Sequence, residues 1–184
     1  AKGIISSPIY DTYWIFAAKR QNVFVQRKAG AAYPWTIDPI LQKYKFTNPY
    51  RASDRVSQYL IRNVIYCGGT GNIYSPEDTF FRIILFKLFN RIETWEHLEK
   101  NFGSLDYKTY SFDKFSSCLN DLLESKKKIY SAAYIMPSGT SFGYLHKHDN
   151  NLKLLELMMS EHIVAKIKKK KNLKELYELL LSYP

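Results

Sequence analysis

Arg51, Arg55, Gln58 and Arg62 recur at i, i+4, i+7 and i+11, the spacing that lines up side chains along one face of a helix. Three guanidiniums and an amide in a stripe suit a polyanion, although a surface helix with solvated arginines has the same pattern. Asp54 lies beside the stripe, near enough at helical spacing to pair with Arg51 or Gln58. A second group, Arg82, Lys87 and Asn90, falls in PEDTFFRIILFKLFN, a helix apolar around most of its circumference. Polar groups enclosed there are costly without partners. Asp78, one turn before Arg82, could neutralise it as a structural ion pair; the sharper reading turns Arg82 or Asn90 toward a substrate. Trp35 sits in the break AGAAYPWT, where it either plugs a core or stacks on an extruded base. The run Lys168, Lys169, Lys170, Lys171 is either a solvated face or a salt-sensitive phosphate contact.

Other chemistries are excluded by spacing. His146, His148 and Asp149 in HKHD form neither an i, i+4 pair nor a set with a cysteine pair, so they read as a polar loop and no metal is expected. Cys67 and Cys118 stand far apart without a CxxC, which argues against a zinc ribbon or a disulfide framework. The glycine-rich CGGTGNIYSP has no lysine and does not match a P-loop, so it reads as a turn. GTSFG at 139–143 falls in a stretch that reads as a loop and not as a nucleophile elbow, and HExxH is absent from the sequence. What remains is an aromatic, basic, helical chain with carboxylates close to arginines, suited to a base-processing enzyme or to a binding module.

The elements that must position these residues announce themselves at their starts. Ser7-Pro8, Asp38-Pro39, Asn48-Pro49 and Ser75-Pro76 each pair an N-cap with a proline at the first helical position. They predict helices from about 8 to 27, with Tyr10, Tyr13, Trp14, Ala17 and Phe24 on the core side, across IDPILQKY, from Asn48 through Tyr66, and from Pro76 to about Asn90. Further helices are expected over 94–102, stopped by Gly103, over 111–126, over 150–166, and over NLKELYELLLSYP behind a capping box of Asn172 and Glu175. IYSAAYIM suits a buried strand or a helical turn equally. The expected fold is all-α.

At 184 residues, with 46% hydrophobic and 16% aromatic residues, the chain suits one domain over 1–184 that buries a core without disulfides. Its formal charge of +10 favours a polyanionic partner, with nucleic acid the first candidate. No apolar run reaches membrane-spanning length and the N-terminus has no unbroken apolar signal region, so a cytoplasmic location without a membrane is expected.

The segments PWTIDPILQKYKFTNPYRASDRVSQYL and SPEDTFFRIILFKLFNRIETWEHLEKNFG, with IYSAAYIM and LYELLLSYP, resemble the α-glutamyl/putrescinyl thymine pyrophosphorylase family. That family is similar to the helical domain of 5-hydroxymethyluracil DNA kinases and has a distant kinship to helix-hairpin-helix DNA glycosylases. The resemblance implies a compact multi-helix glycosylase-like fold. It also implies work on hypermodified pyrimidines in phage DNA, by amine-for-pyrophosphate substitution at the thymine methyl or by excision of the base, including in antiviral defence. Matched positions are Asn48, Arg51, Asp54 and Arg55 in the first motif, with Glu77, Asp78, Arg82, Lys87 and Asn90 in the second. Relatives continue past the equivalent of LLLSYP into a glycine-bearing helix and an aspartate segment, so the chain is expected to be cut short at Pro184. A second chain supplying the rest, a processed product or an incomplete record of the chain would each account for that end.

On this basis the expected function is a glycosylase excising a hypermodified pyrimidine, with no cofactor. Asp54 or Asp78 would stabilise the developing positive charge or position water, Trp35 would stack on the extruded base, and Asn48, Arg51, Arg55, Gln58, Arg82, Lys87 and Asn90 would line the substrate site. Arg62 and Lys168–Lys171 would hold phosphate. Two alternatives stand beside it: amine-for-pyrophosphate substitution with the glycosidic bond intact, and a non-catalytic DNA- or partner-binding half.

Overall fold

A computed structural model describes residues 7–66, 74–132 and 139–184, and among these the chain is all-α, with nine helices and no strand. Of the undecided IYSAAYIM, residues 129–132 are described and form neither strand nor helix, while 133–136 lie outside the described residues, as does the glycine-rich stretch 67–73. The chain divides into two compact units, Ala1–Gln58 and Tyr59–Pro184.

The first unit contains α1 (Tyr10–Lys28), α2 (Pro39–Lys43), a 3-10 turn at Arg51–Ser53 and α3 (Arg55–Tyr59), whose last residue opens the second unit. Helix α2 starts as its sequence dictates: Asp38 accepts hydrogen bonds from the backbone N–H groups of Ile40 and Leu41. Ser7-Pro8 does not cap α1; they form a turn in which Ser7 Oγ accepts from Ile9 N, and the helix begins at Tyr10. The predicted core side of α1 is also corrected. None of its residues is buried, and Leu41 is the only buried hydrophobic side chain among the described residues of this unit.

Asn48-Pro49 does not start a helix either. The backbone is extended at Tyr50 and again at Asp54, with the 3-10 turn between them, and the α-helix begins only at Arg55. It gives way after five residues to a π-helical segment, Leu60–Ile65. Arg51, Arg55, Gln58 and Arg62 therefore do not share one regular helical stripe, because the extended residue and the wider π turn both reset the angular register.

The second unit holds α4 (Pro76–Phe89), α5 (Ile92–Phe102), α6 (Phe112–Glu124), α7 (Lys147–Ser160), α8 (Ile163–Lys168) and α9 (Leu173–Leu181). Helix α4 is the central one, burying Phe81, Arg82, Leu85, Phe86, Leu88 and Phe89. Around it one aromatic chain runs from Tyr59, stacked on Phe86, through Phe86 edge-on to Trp95, and a second joins Phe81, Tyr110, Phe115 and Phe102. Rings in such offset and edge-on contacts add about 1 kcal/mol each beyond their buried area. Asn90 ends α4 in the left-handed conformation at φ 49°, which asparagine tolerates better than most residues, and Gly103 ends α5 at φ 72°. The expected single helix 150–166 starts earlier, at Lys147, and breaks at His162, whose φ of 53° separates α7 from α8. Asn172 and Glu175 form the expected reciprocal cap of α9.

Candidate functional site

In the first unit the nominated side chains are largely engaged with their own backbone. Trp35 is half-buried, its Nε1 donates to the Ala31 carbonyl at 2.8 Å, and the Arg27 guanidinium carbon lies 5.6 Å from its ring centroid. Asn48 accepts from Arg20 Nη2 at 2.5 Å, while Arg20 Nε donates to the Phe46 carbonyl at 3.0 Å. The Asp54 carboxylate does not pair with the side chain of Arg51 or Gln58. Its Oδ2 accepts from Val56 N at 3.3 Å at the start of α3, and Gln58 Nε2 donates instead to the Ala52 carbonyl at 2.6 Å. Arg51 and Arg55 are exposed.

In the second unit Asp78 is a double anchor. One oxygen accepts from Ser75 Oγ at 2.7 Å and the other from Tyr107 N at 3.0 Å, while Ser75 Oγ caps the Asp78 N–H. The expected Asp78–Arg82 ion pair is replaced by another arrangement. Arg82, only 1% exposed, donates from Nε to the Val64 carbonyl at 2.7 Å and from Nη1 to the Leu105 carbonyl at 2.9 Å. Its nearest carboxylate is Glu99, at 3.9 Å, and its guanidinium lies over the rings of Tyr74 and Trp95 at 4.1 and 5.0 Å. The carbonyls of Asn63 and Val64 belong to the last turn of the π-helical segment, so the cation sits at its C-terminal end, where the carbonyl dipoles favour positive charge. Burial raises the Glu99 pKa despite the pull of Arg82 in the other direction. Lys87 Nζ donates to Asn90 Oδ1 at 2.9 Å, on the solvent side of α4. Arg62 and Lys168–Lys171 are exposed.

A polar cluster missed by the sequence reading lies at the start of α7. HKHD is not a loop: Lys147 opens the helix, and His148, Asp149, Asn150 and Asn151 are all buried. Asp149 accepts from Ser116 Oγ on α6 and has His148 Nε2 at 3.4 Å. Asn150 holds the preceding loop, accepting from Phe142 N and Tyr144 N and donating to the carbonyls of Tyr144 and His146. Asn151 Nδ2 donates to the Tyr130 hydroxyl at 3.0 Å. Burial lowers the His148 pKa, Asp149 opposes that shift, and His146, stacked on His148 at 5.3 Å, reinforces it. A signal for this placement was present, because His148, Leu152, Leu155 and Met159 follow i, i+4, i+7 and i+11, which sets the histidine on the core side.

Between α5 and α6 lies an open groove lined by residues that include His97, Asn101, Asp113 and Cys118. Burial pushes the Cys118 thiol up, away from the reactive thiolate. Among the described residues no group of three or more His, Cys, Asp or Glu is placed to hold a metal ion. Nor, among them, is any helix long and apolar enough to cross a membrane.

Residues 7–184 match the family described as "5-hmdU DNA kinase, helical domain". A 5-hmdU DNA kinase of Bacillus phage SP10 is 29% identical over 131 residues, which is 70% of this chain and 20% of the phage protein. The chain thus spans about a fifth of the length of that curated relative. No solved structure matches it.

Proposed function

The chain belongs to the family of the 5-hmdU DNA kinase helical domain, and from that premise we propose that it engages DNA in the hypermodification of thymine-derived bases. The family match over residues 7–184 carries this reading. Charge supports a nucleic-acid partner, at a formal +10 over 184 residues. Asp54 and Asp78 each accept from a backbone N–H, of Val56 and Tyr107, which favours a role that leaves the glycosidic bond intact, since a carboxylate so engaged is poorly free to stabilise an oxocarbenium ion or position water. Phosphoryl transfer needs a nucleotide site, and the sequence has no P-loop to supply one. The chain's own part is then to hold the DNA and present the base, with Arg51, Arg55, Arg62 and Lys168–Lys171 assigned to phosphate.

The group chemistry that fits this role is replacement of an activated group on the exocyclic methylene, an amine displacing pyrophosphate while the glycosidic bond stays intact. Incubating the protein with DNA bearing 5-hydroxymethyluracil, its pyrophosphorylated form or thymine tests the assignment. The expected result is preferred binding to the modified DNA, with every base still attached when the nucleosides are analysed by mass spectrometry. Abasic sites in the modified DNA would establish excision instead, and equal binding to all three DNAs would remove base recognition.

A further inference from the structure

Helix α1 carries a cluster of aromatic side chains that its own unit leaves uncovered. Tyr10, Tyr13 and Trp14 are 52%, 63% and 54% exposed. The Trp14 ring meets Tyr10 at 6.0 Å and Tyr13 at 5.5 Å, both edge-on. Edge-on packing orders the rings against one another without covering all their faces. Contiguous exposed rings of this kind mark a contact surface rather than ordinary surface scatter.

The chemistry around them indicates what covers it. Residues 1–58 carry nine Lys and Arg against three Asp and no Glu, a formal +6, whereas the remaining 126 residues carry eighteen against fourteen, a formal +4. Among the described residues, seven aromatic side chains of the first unit are more than a third exposed, against three in the much longer second unit. Exposed rings on a unit of net positive charge are the combination that holds single-stranded nucleic acid: bases stack on the rings while cations of the unit neutralise the phosphates.

We propose that the Tyr10–Tyr13–Trp14 cluster of α1 is a stacking platform for unpaired bases of single-stranded DNA. This rests on the proposed engagement of DNA and specifies the strand state and the residues that meet the bases. Trp14, touched by both tyrosines, is its centre. Stacking is tolerant of base identity, so the platform supplies affinity for the opened strand and leaves discrimination of the modified base to other residues.

Fluorescence anisotropy with a labelled oligothymidine and with a duplex of equal length tests it on the full chain. The wild type is expected to prefer the single strand. Trp14→Ala is expected to weaken that binding by about tenfold, and Trp14→Phe to keep most of it. The salt dependence should remain unchanged in both variants, because no charge is removed. Trp14 is exposed, so far-UV circular dichroism should show both variants folded. Wild-type-like binding by Trp14→Ala, or no wild-type preference for the single strand, would overturn the proposal. So would a wild-type dimer that Trp14→Ala converts to monomer without loss of DNA binding, since the face would then belong to a second copy. Failure of the hypermodification reading looks different: abasic products, or indifference to the modified base, with the Trp14 effect intact.

Discussion

The two units use the same kinds of residue in opposite ways. In Tyr59–Pro184 aromatic rings are core material, joined from Tyr59 and Phe86 to Trp95, and one arginine is enclosed: Arg82 sits 1% exposed against three backbone carbonyls. In Ala1–Gln58 tyrosine and tryptophan stand in solvent, and Arg51 and Arg55 are exposed. Burial is the physical difference. A unit of more than a hundred residues can enclose its rings, while a short unit with Leu41 as the one buried hydrophobic among its described residues cannot. The same composition yields a scaffold in one place and a contact surface in the other.

The largest effect expected from breaking this contrast is at Arg82. Arg82→Leu leaves the carbonyls of Val64, Leu105 and Asn63 without their donor, and urea denaturation should show a loss of about 3–5 kcal/mol. Arg51→Leu, on the exposed side of the comparison, should cost less than about 0.5 kcal/mol in the same assay. Equal losses would erase the distinction between the units.

Capping comes next. Ser75→Ala removes the acceptor for the Asp78 N–H and should cost about 1 kcal/mol, whereas Ser7→Ala should be close to neutral, because Ser7 stands in a turn ahead of α1.

The buried histidine makes a pH test. His148 has a folded-state pKa lowered from 6.5, mainly by burial, so the folded protein binds fewer protons there than the unfolded chain. Its contribution is fully present above pH 6.5 and is lost as pH falls below 6.5 toward the lowered folded value. The melting temperature should therefore decline over that window, and His148→Gln should flatten the decline, although the substitution itself lowers stability at neutral pH. A decline that persists unchanged in His148→Gln would place the titration elsewhere.

The smallest effect expected is on the basic run. Replacing Lys168–Lys171 with alanine should leave stability within about 0.5 kcal/mol and make DNA binding less steeply dependent on salt, if these lysines meet phosphate. An unchanged salt slope would return them to the role of a solvated helix end.

Helices were legible where a local signal and the tertiary structure agreed. Asp38-Pro39, Ser75-Pro76, Gly103 and the Asn172–Glu175 box each act on neighbouring backbone, so each could be read from a few residues. Asn48-Pro49 carries the same local signal, yet Arg20, 28 residues away, takes the asparagine side chain and the helix starts at Arg55. The partners of Arg82 were equally out of reach, because carbonyls 18 and 23 residues distant carry no sequence mark of their availability. Burial in α1 was misjudged for a related reason: periodicity shows which residues could face a core, and the amount of core available is a property of the whole unit. The burial of His148 is legible only in its helical register with Leu152 and Leu155, because HKHD taken as a metal motif reads as a polar loop.

Amide hydrogen exchange of the full chain, with and without a single-stranded oligothymidine, tests the division of labour most directly. The account predicts added protection over residues 10–28, with α4 and α5 unchanged because they are already protected by the core. Protection confined to residues 59–184, with α1 indifferent to DNA, would contradict it.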